Sequence, residues 1–214
     1  FTISIDDFYK TRKERLLLSK KAHPSLMTRG VPGTHNTNIM LDFFNRVKRK
    51  KFRPLKLPKF NKAIDDRYNK KLWYSVKKRP DIIIFEGWCV GAKAEKNNTL
   101  KKSLNSLEKL KDKKLTWRRF VNKQLQSKYK QLYDQLNCLL YLKSKNFSLL
   151  RQWRIKQEKK LRLKNKRSNN HKIMSNKEVI NFMQTYQRVT QNMFKYVPKY
   201  ASIILNLNSN HQIK

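Results

Sequence analysis

The sequence predicts an α/β fold, a parallel sheet with helices on both faces. Three observations predict it. Four short runs are almost wholly apolar, at 1–5 (FTISI), 81–85 (DIIIF), 138–142 (CLLYL) and 201–207 (ASIILNL), as strands buried on both sides are. Between them lie stretches whose apolar residues recur at helical spacing, so the chain passes through helix between strands. Two of the runs stop at acids, Asp6-Asp7 and Glu86. In an open parallel sheet, sites form at the carboxyl ends of the strands.

The elements follow in order. After the first strand, residues 8–21 read as a helix with Leu16, Leu17 and Leu18 on its apolar side. A loop from His23 to Gly33 is punctuated by Pro24, Gly30, Pro32 and Gly33. Thr34 is placed to cap the next helix, where Ile39, Met40, Phe43, Phe44 and Val47 share a face. Residues 53–70 read as irregular because of Pro54 and Pro58. An amphipathic helix is expected over 115–134, carrying Trp117, Phe120, Val121, Leu125, Tyr129 and Leu132. A long basic helix occupies 146–166. The last helix runs over 175–196, with Ser175 and Glu178 spaced as a capping box. Trp73, Trp88, Trp117 and Trp153 are expected to pack in the core rather than stack on a base. With 38% hydrophobic residues and only 4 Gly in 214, the chain suits one domain, 1–214, without long flexible linkers.

The net charge is +38, from 52 Lys+Arg against 14 Asp+Glu. A basic nucleic-acid-binding module is one reading of such a balance. The lysines, however, are scattered from Lys10 to Lys214 and form no stripe. The chain is also rich in Asn and Ile, which, with Lys, are the residues of AT-biased codons. Charge therefore leaves nucleic acid possible and does not favour it. Cys89 and Cys138 stand far apart, and the 4 His show no metal-ligand spacing, which suits reduced thiols and a cytoplasmic protein. No apolar run approaches the roughly 20 residues of a membrane span.

The motifs carry a resemblance. Ser4-Ile5-Asp6-Asp7-Phe8-Tyr9 resembles the SxDxFY element shared by uridine kinase, pantothenate kinase and glycerate kinase, which are P-loop enzymes. Arg29-Gly30-Val31-Pro32-Gly33-Thr34-His35 is similar to the RGxPGTHD loop of the glycerate kinase branch. Pro58-Lys59-Phe60-Asn61-Lys62-Ala63 with Asp65-Asp66-Arg67 resembles its PxFDKAxDDR segment. Phe85-Glu86-Gly87-Trp88-Cys89-Val90-Gly91 resembles FEGWCVG. The matches occur in family order from residue 4 to about 207, and EGWCVG together with RGVPGTH is specific. By these motifs the chain is identified as a member of the D-glycerate 3-kinase family of P-loop kinases.

The resemblance implies an ATP-dependent kinase that converts D-glycerate, or another small hydroxyl compound, to its phosphate, with ATP and Mg²⁺ as cofactors. Phosphoryl transfer is mostly positioning and charge neutralisation. Asp6 is the implied base for the substrate hydroxyl. Glu86 is the implied Mg²⁺ carboxylate, with a loop cap as its plain alternative. Asp7 is either a second acid near the metal or a loop-stabilising group. Arg29, His35, Arg67 and Arg188 are implied donors to an anionic substrate. For His35 the alternative is a buried histidine satisfying loop carbonyls, and for Arg67 a pair with Asp65 or Asp66. The helix at 146–166 takes the lid position, where Arg151 and Arg154 would reach the transferring phosphate.

Two departures stand out. Asn36 and Asn61 replace aspartates of the family motifs. The pattern GxxxxGK[ST] occurs nowhere in the 214 residues. The resemblance therefore implies a P-loop NTPase-type sheet incomplete at its N-terminus, lacking the first, central strand and the P-loop. FTISI and DIIIF would then pair on one side and CLLYL and ASIILNL on the other, and this chain alone would fold poorly or bind no ATP. An inactive kinase remnant is the alternative reading.

Overall fold

The computed structural model describes residues 1–164 and 174–214. Along the chain run β1 (Thr2–Ser4), α1 (Arg12–Lys21), α2 (Thr37–Val47), β2 (Leu55–Leu57), β3 (Phe60–Asn61), β4 (Asp66–Arg67), β5 (Tyr74–Val76) and β6 (Ile84–Glu86). Then come α3 (Ser106–Lys111), α4 (Thr116–Gln126), α5 (Lys128–Tyr133), β7 (Leu140–Lys143), α6 (Phe147–Lys164), α7 (Asn176–Tyr196) and β8 (Ile203–Asn206). The last two residues of the helix expected at 146–166 lie outside the described residues. The backbone packs as two compact units, residues 1–101 with 112–136, and residues 102–111 with 137–214.

In the first unit β1 and β6 pair in parallel, with Thr2 opposite Ile84 and Ser4 opposite Glu86. Ile3 and Ile5 are buried, whereas Ile82 and Ile84 stay exposed. The core gathers Phe8, Leu26, Met40, Phe43, Trp117 and Tyr129. Residues 53–70 are not irregular as expected but carry β2, β3 and β4: β2 pairs with β5 and β3 with β4, both antiparallel. Strands of two or three residues are too short to show alternation beside two prolines.

Three local expectations are corrected here. Helix α1 buries Arg15 and Ser19 and leaves Leu16 and Leu17 exposed. Its inward face is polar because the Arg15 guanidinium donates to the carbonyls of Lys10, Met27 and Asp65. Asn36, not Thr34, caps α2, its Oδ1 accepting the Ile39 amide. Thr34 instead ties the preceding loop, accepting from the Gly30 amide and donating to the Val31 carbonyl. The helix expected over 115–134 breaks at Ser127 into α4 and α5. The apolar period runs through that break, so periodicity alone does not reveal it.

In the second unit β7 and β8 pair in parallel, from Leu140 opposite Ile203 to Lys143 opposite Asn206. Leu140, Leu142 and Ile203 are exposed. Helix α7 carries the expected capping box: Ser175 accepts the Glu178 amide, and Glu178 accepts that of Ser175. Helix α3 is stapled to α7 by a fully buried pair, in which Arg188 donates from Nε and Nη2 to the two Glu108 oxygens, each at 2.7 Å. Of the four tryptophans only Trp117 is fully buried. Trp73 and Trp153 are half-buried and donate to the carbonyls of Tyr68 and Ser209.

Candidate functional site

Ser4 ends β1, and the chain turns at once into a single 3-10 turn, Ile5–Phe8, that carries Asp6 and Asp7. Ser4 starts that turn, its hydroxyl accepting the Asp6 amide. Because β6 runs parallel to β1 and its Glu86 lies opposite Ser4, all three carboxylates collect at the same end of the pair.

Their surroundings differ. Asp6 Oδ2 accepts from Lys62 Nζ at 2.7 Å in a partly exposed ion pair. Asp7 Oδ1 accepts the Phe60 amide at 3.0 Å, and burial raises its carboxyl above the usual range. Asp7 thus ties the start of β3 to the acidic turn. The Glu86 side chain is exposed, and its carboxylate makes no hydrogen bond or ion pair with any described residue. Gly87 follows it where no side chain fits: a Cβ would stand 2.2 Å from Ile5 Cγ2.

The loop over 29–36 lies against the same turn. The Lys10 amide donates to the Thr34 carbonyl and the Asn36 amide to that of Phe8. The His35 ring stacks on Tyr9 with centroids 4.4 Å apart. Its Nδ1 lies 2.6 Å from the Tyr129 hydroxyl, and its Nε2 is buried without a hydrogen-bond partner among the described residues. Burial lowers the His35 pKa to about 3, so the ring is neutral at ordinary pH.

The arginines expected to bind substrate are engaged within the protein. Arg29 pairs with Asp65, whose carboxylate also meets Arg15 at 2.9 Å. Asp65 sits at φ 57°, a left-handed backbone held in place by those two partners. Arg67 Nε donates to the Tyr9 carbonyl at 2.7 Å, and its Nη2 lies 3.5 Å from Glu14 rather than at Asp65 or Asp66. Arg188 belongs to the buried pair with Glu108 in the second unit. In that unit α6 carries Arg151, half-buried and without a hydrogen bond or ion pair to a described residue, and Arg154, which pairs with Glu158 and donates to Gln157.

The two asparagine departures keep the local bonding. Asn36 supplies the α2 cap, and Asn61 Oδ1 accepts the Ala63 amide at 3.0 Å. An aspartate there would accept the same amides, so the exchange removes charge and not structure. The sequence reading missed Lys62 and Tyr129. The signal for Lys62 was its place in the PKFNKA motif. Tyr129 gave none beyond a helical apolar position.

Among the described residues no group of three His, Cys, Asp or Glu side chains forms a metal cage. Mg²⁺ needs no such cage beside a nucleotide, where one or two carboxylates, phosphate oxygens and water suffice. The open Glu86 carboxylate fits that donor set. No helix among the described residues is long and apolar enough to cross a membrane.

No family model matches the chain. It is 28% identical over 191 residues to the "Uncharacterized kinase mug58" of Schizosaccharomyces pombe, covering 86% of this chain and 66% of that protein. It is 27% identical over 193 residues to the chloroplastic D-glycerate 3-kinase of Arabidopsis thaliana, covering 86% of this chain and 39% of that one. The chain thus spans less than two thirds of the length of either relative. The solved D-glycerate 3-kinase of Cryptococcus neoformans var. grubii shares the fold, with a TM-score of 0.80 over 99% of this chain and 77% of that one, at 24% identity.

Proposed function

We propose, from its homology to D-glycerate 3-kinase and the kinases akin to it, that this protein transfers the γ-phosphoryl group of ATP to a small hydroxy acid, D-glycerate first among them. The observation that carries the reading is the parallel β1–β6 pair, which delivers Asp6 and Glu86 to one strand end, each with a different partner state. Asp6 takes the proton of the attacking hydroxyl. Lys62 holds the Asp6 carboxylate in place and offers a cation to an arriving anion. Glu86 would hold Mg²⁺, which supplies charge neutralisation on the phosphates. Asp7 orders the turn through the Phe60 amide. Arg151 and Arg154 are the proposed donors to the transferring phosphoryl group. Arg29 and Arg67 act by shaping the loop around Asp65 and Tyr9, and direct contact of either with substrate requires it to leave its present partner.

The GxxxxGK[ST] pattern is absent from the 214 residues, so no role in gripping the β- and γ-phosphates is assigned to any residue here. The remnant reading loses one support, because Asn36 and Asn61 retain the acceptor geometry of their positions.

The test is ATP turnover with Mg²⁺ and a panel of small hydroxy acids, with phosphorylated product followed by phosphorus NMR. D-glycerate should give 3-phosphoglycerate. Asp6→Asn should lower the rate by about 10²–10⁴ while the fold holds. An absence of turnover with every acid in the panel, or full activity in Asp6→Asn, would sink the proposal.

A further inference from the structure

His35 presents a buried polar atom, Nε2, with no hydrogen-bond partner among the described residues, and the atoms around the ring determine its protonation. Tyr129 Oη accepts the Gly33 amide at 2.9 Å and lies 2.6 Å from His35 Nδ1. The phenol carries one proton. If it donates to Nδ1, the neutral ring keeps its proton on Nε2, and one buried donor is left unpaired. If Nδ1 carried the proton instead, the Tyr129 proton and the bare Nε2 would both be left buried and unmatched, a costlier arrangement. Tyr9 fixes the ring plane from one side, and the Tyr129 ring meets it edge-on at 5.9 Å. Gly33 keeps its amide aimed at Tyr129, because a side chain there would stand 2.5 Å from Phe120 at φ 103°.

We propose that Tyr129 is a positioning residue that locks His35 in its neutral Nε2–H form, and that this N–H is held for an oxygen of the hydroxy-acid substrate. The second half rests on the kinase reading above. The charges of Asp6 and Lys10 both act on the ring, which places it in the neighbourhood of the proposed base. A neutral donor suits that place. An imidazolium would draw the Asp6 carboxylate to itself, whereas a neutral N–H orients a substrate oxygen and leaves Asp6 free to take a proton. The depressed pKa of His35 serves the same end by keeping the ring uncharged.

The test is nitrogen–proton correlation NMR of the histidine rings in the intact chain, first without ligand and then with D-glycerate added. The lock predicts a His35 proton on Nε2 alone, unchanged from pH 8 to pH 5. A proton on Nδ1, or titration in that range, overturns it. This measurement needs no variant, so the lock remains testable even where Tyr129→Phe fails to fold. Where that variant folds, its His35 should show mixed protonation, and an unchanged Nε2–H overturns the role of Tyr129. With D-glycerate, the Nε2 proton should shift. Shifts elsewhere with none at His35 overturn the donor role. Silence throughout the spectrum overturns the glycerate reading and the donor role with it, while the ligand-free result stands on its own.

Discussion

Glu108 and Glu86 are the same residue type in two regions of one chain, and their situations are opposite. Glu108 is fully buried between α3 and α7, with both oxygens filled by Arg188. Glu86 is exposed at the end of β6 with no partner among the described residues. With 14 acids against 52 Lys+Arg, any carboxylate here has cations at hand. Asp65, Asp112, Glu14 and Glu158 all pair with arginine. An acid at a strand end that does not pair can therefore take a ligand without giving up a partner, whereas Asp6 at the neighbouring end keeps Lys62. The comparison separates acids that hold the fold from acids that wait for chemistry more sharply than motif membership does.

The largest effect should come from breaking the filled member of that contrast. Glu108→Ala leaves Arg188 buried without its counter-charge and should lower unfolding stability by about 3–5 kcal/mol. A urea titration that shows a loss below about 1 kcal/mol would break the comparison.

Next in size is a pH effect at His35. Its folded pKa, about 3, lies below the ordinary value of 6.5, so the unfolded chain binds a proton that the folded chain refuses. Stability is thus fully present above pH 6.5 and falls as pH drops toward 3, at roughly 1.4 kcal/mol per unit. Between pH 6.5 and 5 the wild type should lose about 2 kcal/mol more than His35→Gln. Parallel curves for the two proteins would contradict the buried, neutral ring.

Lys62→Met probes the half-filled case. The Lys62 side chain is 62% exposed, so its ion pair with Asp6 should contribute only about 0.2–1 kcal/mol to stability. The sharper readout is turnover, where loss of the cation beside the proposed base should raise KM for an anionic substrate. The smallest effect belongs to Glu86→Gln. Its stability should stay within about 0.5 kcal/mol of wild type, while the Mg²⁺ concentration needed for half-maximal turnover rises. A stability loss comparable to that of Glu108→Ala would show that Glu86 is structural after all.

The sequence made the strands and their acidic ends legible, because DIIIF before Glu86 and FTISI before Asp6 are continuous apolar runs with abrupt polar stops. The capping box at Ser175 was legible for the same reason: its partners stand three residues apart. What stayed hidden depends on contacts across long stretches of chain. Lys62 meets Asp6 from 56 residues away, Tyr129 meets His35 from 94, and Arg188 meets Glu108 from 80. No local period encodes such meetings. Arg15 was hidden differently, since a charged residue on a helix reads as solvent-facing until three carbonyls are found around it.

The close approach of Gly87 to Ile5 has an evolutionary consequence. The space that a Cβ at position 87 would need is filled by the side chain of Ile5, the first residue of the acidic turn. The two positions are therefore coupled. A descendant that keeps isoleucine at 5 cannot leave glycine at 87, and one that trims residue 5 to alanine relieves the 2.2 Å contact but keeps the Cβ of residue 5 at 3.1 Å and the Gly87 φ at 157°. The glycine of the EGW element thus answers to the girth of the neighbouring turn and to its own backbone angle rather than to any demand of the reaction.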